Sequence, residues 1–428
     1  MCLLVKGGRL IDPAEDIDEV MDLLIRDGRV VERGKDLSPP PGEVKVIDAE
    51  GKAVAPGFID IGPQLREPGF EYKEDIASGT RAAAAGGFTA LAPMPNTRPV
   101  NDNAAVTEFI LRRAREVGSV QVLPIGAISQ GTEGEGLSEM GDMRAAGAIA
   151  FSDGERPLRN STLMRRALEY ALMLEAPVIS CPEDPSLAAG GLMHEGFVST
   201  ELGLPGIPRE AEEIMAFRDM KLAELTGARL HLAHISSRGT VRLVREAKER
   251  GVKVTCSVTP HHLCLADGAV RGYDVNAKVR PPLREREDQQ ALLEGLRDGT
   301  IDLIATAHAP HDVGEREVEF QEAEAGIVGL ETALPLLMDR LVSRGILTLG
   351  QLVEKLSTNP ARTLGLPKGT LKPGADGDLT ILDPEAEVIV NVGAFCSKGK
   401  NSPFHGWRLK GRVLATVVGG RVVAERWQ

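Results

Sequence analysis

Ala55-Pro-Gly-Phe-Ile-Asp-Ile-Gly-Pro-Gln-Leu-Arg-Glu-Pro-Gly69 is where the chain changes texture. The apolar run Phe58-Ile-Asp gives way within a few residues to Gly, Pro and charge, the layout of a short buried strand ending in a loop. The same unit then repeats. Thr89-Ala-Leu-Ala, Val120-Gln-Val-Leu-Pro, Ala148-Ile-Ala-Phe, Pro177-Val-Ile-Ser, Arg229-Leu-His-Leu-Ala, Val252-Lys-Val-Thr-Cys and Ile301-Asp-Leu-Ile-Ala bring the strand candidates to eight. Helical stretches at 208–226, 239–250 and 287–296 stand between them. Eight β/α units over about 300 residues predict an α/β fold, a TIM (β/α)8 barrel, with its functional site at the C-terminal ends of the strands.

Residues before and after this middle read differently. Leu3-Leu-Val, Gly8-Arg-Leu-Ile, Asp22-Leu-Leu-Ile-Arg, Arg29-Val-Val and Lys45-Val-Ile-Asp are short strand signals, with Pro39-Pro-Pro-Gly42 as a loop. The far end has Asp378-Leu-Thr-Ile-Leu, Glu387-Val-Ile-Val and Val413-Leu-Ala-Thr-Val-Val, then Gly419-Gly420 as a hairpin turn before Arg421-Val-Val. Two β-rich ends around an α/β middle predict one composite β-sandwich domain, 1–55 plus 366–428, beside a barrel domain at 56–365.

The composition narrows the function classes. At 428 residues and 42% hydrophobic the chain buries a large core, and with 4% aromatics that core is built of Ala, Val, Leu and Ile. A net charge of −12 argues against nucleic acid or an anionic membrane as partner. No apolar run of about 18 residues occurs, and Met1-Cys-Leu-Leu-Val-Lys lacks a signal-peptide layout. Five scattered cysteines without metal-type pairing suit a reduced, cytoplasmic protein.

The opening stretch also resembles the first barrel strand of the cyclic amidohydrolases, above all class I dihydroorotase, whose pattern reads Pro-Gly-Phe-Ile-Asp-x-His-x-His-Leu-Arg-Glu-Pro-Gly. In that family the two histidines hold the metal; here their positions are Gly62 and Gln64. Other family elements recur with the same kind of loss. Phe151-Ser-Asp-Gly-Glu155 has Gly154 where the family has a second aspartate, and Cys181-Pro-Glu-Asp184 has Cys in place of His. Ala305-Thr-Ala-His-Ala-Pro-His311 has Ala307 where the family's metal-binding, proton-shuttling aspartate stands. Only His234, in Leu232-Ala-His-Ile-Ser-Ser237, is kept, so the resemblance implies that five of six metal positions are changed.

Those losses matter chemically. Hydrolysis of a cyclic amide near neutral pH needs a strong nucleophile, which zinc supplies by lowering the pKa of its water to ~7. It also needs a carboxylate to move the proton, worth ~10²–10⁴-fold in rate. Gly, amide and Ala are not zinc ligands. His234, Cys181 and Asp153 remain as a poor three-ligand set without an acid/base. No cofactor is expected, and zinc only if the chain is an enzyme after all.

Substrate-contacting positions of the family persist: Arg66, Asn96, Asn276 and His311, together with Gly326-Ile-Val-Gly-Leu-Glu331, before which Ala325 replaces a Phe. The resemblance implies a carboxylate fork at Arg66 and amides for a pyrimidine ring at the asparagines. Plainer readings stand beside these. Arg66 and Glu67 equally make a structural ion pair, His234 a hydrogen-bonded core histidine and Cys181 a small hydrophobe. His261, His262 and His308 read as packing and supporting residues.

Three functions remain. The first is a noncatalytic homologue in de novo pyrimidine biosynthesis, an assembly partner of aspartate transcarbamoylase, since family members without the ligands are known in that role. Such a chain retains binding of dihydroorotate or carbamoyl aspartate, and forms a homodimer or hetero-oligomer. The second is an active dihydroorotase with an atypical metal site. The third is an assembly protein unrelated to pyrimidines, against which Arg66, Asn96 and Asn276 count.

Overall fold

The structure, a computed structural model, describes residues 2–427. Residues 1 and 428 of the expected composite domain lie outside the described residues. The N-terminal strands are β1 (Cys2–Asp12), β2 (Ile17–Arg26), β3 (Arg29–Gly34), β4 (Val44–Asp48) and β5 (Ala53–Pro56). The two runs expected at Leu3 and Gly8 are one strand, β1, with a register shift between Val5 and Gly8. The reason is local: the Asp22 carboxylate accepts the Gly7 N–H at 2.8 Å, holding the bulge inside the ladder.

The barrel follows, with β6 (Phe58–Ile61), β7 (Phe88–Ala92), β8 (Gln121–Val122), β9 (Ile125–Gly126), β10 (Ala150–Phe151) and β11 (Val178–Ser180). A short pair outside the barrel, β12 (Met193–His194) and β13 (Gly206–Ile207), comes next, then β14 (Leu230–Leu232), β15 (Val254–Val258) and β16 (Leu303–Ile304). All eight expected strands form. The third is split into β8 and β9 because Pro124 has no N–H for the ladder. Leu123 N–H still reaches Leu91 O and Ile125 N–H reaches Pro93 O, so the strand bridges β7 and β10. The ring closes between β16 and β6 through side chain and loop. Asp60 accepts from Thr306, and Gln64 N–H donates to His308 O at 2.8 Å.

Strands of a closed parallel barrel are buried on both faces, so they read as unbroken apolar runs. Ile59, Ile61, Ala90, Ala150, Ile179, Ala233 and Leu303 form one cluster, and Phe58, Phe88, Phe151, Val178, Leu230 and Val258 pack in the larger cluster that includes the surrounding helices. Side-chain caps start those helices where the loops need them. Asp75, Asn103, Asn160 and Ser237 each accept backbone N–H groups of the first turn.

The chain returns as β17 (Leu379–Ile389), β18 (Arg408–Val418) and β19 (Arg421–Glu425). Gly419 and Gly420, both at positive φ (+54° and +75°), make the expected turn. The runs at Asp378 and Glu387 are again one irregular strand, β17. These strands complete a separate sheet in the order β19-β18-β17-β5-β1-β2-β3, with β4 pairing parallel to residues 2–6 of β1 and β5 to residues 9–10. The two chain ends meet where β5 pairs antiparallel with β17. The sheet has its own core, which includes Leu3, Leu10, Ile25, Ile47, Leu379, Ile381 and Val417. Among the described residues no helix is long and apolar enough to cross a membrane.

Candidate functional site

The C-terminal mouth of the barrel gathers residues from most of its strands. Gly62 and Gln64 follow β6, Glu155 follows β10, Cys181 follows β11, His234 follows β14, His261 follows β15 and Ala307 follows β16; all line one small cavity, of about 20 Å³. The structure thus brings Gly62, Gln64, Cys181, His234 and Ala307 together as the resemblance implies.

What these residues offer is neutral or occupied. His234 is buried, its pKa lowered to about 4 by that burial, and its Nε2 has no hydrogen-bond partner. Its backbone N–H donates to Ser257 Oγ at 3.1 Å, and a hydrogen bond from the ring to the Ile61 backbone opposes the effect of burial. Burial, with the charges of Glu155 and Glu183 adding to it, pushes the Cys181 thiol up to about 12. In that state Cys181 is a neutral thiol, whose proton only a bound cation would draw off. Gln64 donates Nε2–H to Glu155 Oε1 at 2.7 Å. Gly62 sits at φ +90°, with His234 Nε2 only 3.6 Å from where a Cβ would stand.

Asp153 is not part of this group, contrary to its expected place in a residual ligand set. Its oxygens face away, accepting Ile128 N–H (2.8 Å), Ser129 N–H (2.9 Å) and the Ser129 hydroxyl. Those bonds knit the third and fourth βα loops together. Among the described residues, the one group of three metal-type side chains within reach of one another is His194, Glu285 and Asp288. There, Arg209 already binds both carboxylates. Arg284 Nη1 lies 3.2 Å from His194 Nδ1, which leaves the proton on Nε2. Neither place fits zinc as arranged, since zinc needs three or four deprotonated N, S or O donors converging on it.

The expected ligand contacts divide. Arg66 and His311 come together, Arg66 Nη2 lying 3.2 Å from His311 Nε2 and Arg66 Nε donating to Pro310 O at 3.2 Å. Burial and the nearby cations Arg66, Lys73 and Arg316 bring the His311 pKa down to about 3. Asn96 and Asn276 do not line the cavity; Asn276 lies in a turn where its backbone N–H donates to Asp274. Arg66 and Glu67 are not a pair, because Glu67 accepts Arg113 Nε at 2.8 Å and Ile76 N–H at 2.9 Å.

The plainer readings hold for His308 and His262, whereas His261 lines the cavity. His308 Nδ1 accepts Gly329 N–H, leaving Nε2 facing Glu74 at 3.4 Å. His262 bridges Thr259 Oγ1 and Pro281 O. Two site residues escaped the sequence reading. Glu155 was legible as the one acid directly after Gly154. Arg280, which binds Glu183 through both its Nε and its Nη2, carried no such signal.

With this geometry in view, the comparisons with known proteins become specific. Residues 51–240 match the family model described as Dihydro-orotase-like. The chain is 56% identical over 426 residues to a protein named Dihydroorotase from Geobacter metallireducens, covering 100% of both chains. It is 55% identical over 423 residues, 99% of each chain, to one of the same name from Syntrophus aciditrophicus.

The chain belongs to the dihydroorotase family.

Among solved structures this dihydroorotase-family chain is similar to L-hydantoinase (dihydropyrimidinase) from Arthrobacter aurescens. The TM-score is 0.89 and the identity 28%, covering 100% of this chain and 96% of that one. D-Hydantoinase from Thermus sp. gives a TM-score of 0.86 at 26% identity, with the same coverage. The barrel with its attached sheet is therefore the amidohydrolase architecture.

Proposed function

We propose that this dihydroorotase-family protein of pyrimidine biosynthesis does not open dihydroorotate by metal-dependent hydrolysis and acts as a noncatalytic homologue. One observation carries the reading. Of the imidazoles lining the cavity, His234 has a buried nitrogen without a partner, and around it stand glycine, amide, thiol and methyl groups, with His261 and the Gln64-bonded Glu155 beside them. Without a metal to lower its pKa, water is a poor nucleophile at neutral pH. The proton-transfer position is a methyl group at Ala307, and the nearest acid, Glu155, is bonded to Gln64. Fold and family do not by themselves fix activity.

The test is dihydroorotate ring opening by the purified chain with zinc supplied, beside a family enzyme with all its ligands. Turnover no higher than background is expected. A second reading, an active dihydroorotase with an atypical zinc site, is favoured by the name carried by relatives at 52–56% identity over essentially the whole chain. Chelator-sensitive turnover would establish it and overturn the first.

The assembly role with aspartate transcarbamoylase rests on the sequence resemblance alone. Co-expression followed by gel filtration tests it, and separate elution at micromolar concentration rejects it.

A further inference from the structure

Two helices packed side by side on the flank of the barrel, Ser161–Met173 ahead of β11 and Glu210–Thr226 ahead of β14, each bury one face. The outer face of such a helix is ordinarily polar. Here it carries Leu172 (45% exposed), Met173 (80%), Ile214 (51%), Phe217 (49%) and Leu225 (64%). Together these leave on the order of 500 Å² of apolar side chain in water, the size of patch that marks an interaction site on a soluble protein.

The sheet fixes how high the two helices stand beside each other. Val178 of β11 pairs with Leu230 of β14, and Met173 and Leu225 precede those two residues by the same interval. Met173 and Leu225 therefore share one level, and further along the helices so do Glu169 and Lys221, then Arg165 and Phe217. All six are exposed. A two-fold axis parallel to the helices keeps these levels and sets each helix against the other helix of a second copy. Met173 then meets Leu225, Glu169 meets Lys221, and the Arg165 guanidinium meets the Phe217 ring. Within one molecule Glu169 holds Arg165 and Lys221 holds Glu224, so the new contact joins two existing ion pairs with opposite charges facing. Two stripes of one chain that complement each other at levels set by the sheet fit a second copy of that chain.

We propose that residues 161–173 and 210–226 form a dimer face, on which a second copy docks about a two-fold axis parallel to the two helices. The two copies bring about 1,000 Å² of apolar surface to it, and the charged rim carries the total into the ~1,200–2,000 Å² of a stable interface. The face lies on the barrel flank and leaves the mouth open, so it does not depend on whether the chain is catalytic.

Sedimentation equilibrium of the full chain at micromolar concentration tests the face. A mass of twice 45.8 kDa is expected. Met173→Asp, which enters the contact twice, should weaken association by roughly tenfold or more. Lys221→Glu sets like charges against Glu169 and should weaken it comparably, and Glu169→Lys added to it should restore affinity to within about threefold of the wild type. These positions are exposed, so an unchanged circular dichroism spectrum shows that the variants fold. A wild type that stays monomeric overturns the proposal, as does a dimer indifferent to Met173→Asp or a charge swap without rescue. Association through this face with aspartate transcarbamoylase alone overturns it too.

Discussion

Asp60 and Thr306 join the first and last strands of the barrel: the Asp60 carboxylate accepts the Thr306 N–H at 2.7 Å and its hydroxyl at 2.5 Å. Both residues are fully buried. Asp60→Ala leaves two buried donors without an acceptor, and a loss of about 2–4 kcal/mol is expected. Urea unfolding measures it; a loss under about 0.5 kcal/mol, the range of an ordinary surface change, would show that the junction is not needed to close the ring.

The histidines set the pH dependence. Burial lowers His194 and His234 to about 4, His231, His262 and His311 to about 3, and His261 well below its ordinary value. The unfolded chain takes up these protons near the ordinary 6.5 while the native state refuses them. Stability is thus whole above about 6.5 and falls as pH drops towards 4 and 3, each histidine adding a slope of up to about 1.4 kcal/mol per pH unit. Asp60, raised to about 7 by burial, runs the other way, stabilising at low pH and losing that contribution as pH rises through about 7. Burial also raises Asp153, Glu155, Asp219, Asp267, Asp302 and Glu331, but all six histidines have their unfolded value inside the window, so the urea midpoint should fall from pH 7.5 to pH 5. A flat profile would contradict this.

Restoring a metal site takes more than one residue. Gly62→His places a side chain at φ +90° with Met94 Cε 2.9 Å from its Cβ, at a strain of about 1–3 kcal/mol. The single variant is expected to melt lower and to show no zinc binding by titration calorimetry. The set Gly62→His, Gln64→His, Gly154→Asp, Cys181→His and Ala307→Asp is expected to bind zinc. Stoichiometric zinc on the single variant would refute the reading of this pocket.

Asn401 ties the segment 395–404 to the barrel mouth. Its amide donates to Ala309 O and Gly326 O, both at 2.9 Å, and its oxygen accepts His311 N–H at 3.2 Å. Asn401→Ala should lower stability by about 1–3 kcal/mol and speed proteolysis of the exposed loop 312–325. Unchanged cleavage there would show that the loop is held elsewhere, for instance by Glu315 on Lys73.

The sequence revealed strands better than it revealed contacts. Runs such as Arg229-Leu-His-Leu-Ala are apolar on both faces because both faces are buried, and that pattern is local. Pro124 broke the third strand, and the bulge at Gly7 joined two expected strands into one; both follow from backbone groups rather than side-chain periodicity. At the site, motif spacing placed Gly62, Gln64, Cys181, His234 and Ala307 on one mouth. Spacing does not tell which way a carboxylate points, so Asp153, read as a candidate ligand, faces the third βα loop, while Glu155, given no role by the sequence, lines the cavity.

The pairing of β5 with β17 reaches beyond the finished molecule. Residues 53–56 find their partners at 379–382, more than three hundred residues later. At roughly 5–20 residues per second on the ribosome, the first half of that sheet waits between about a quarter of a minute and a minute with one edge bare. During synthesis the N-terminal strands are thus the segment most open to capture by chaperones or by other nascent chains.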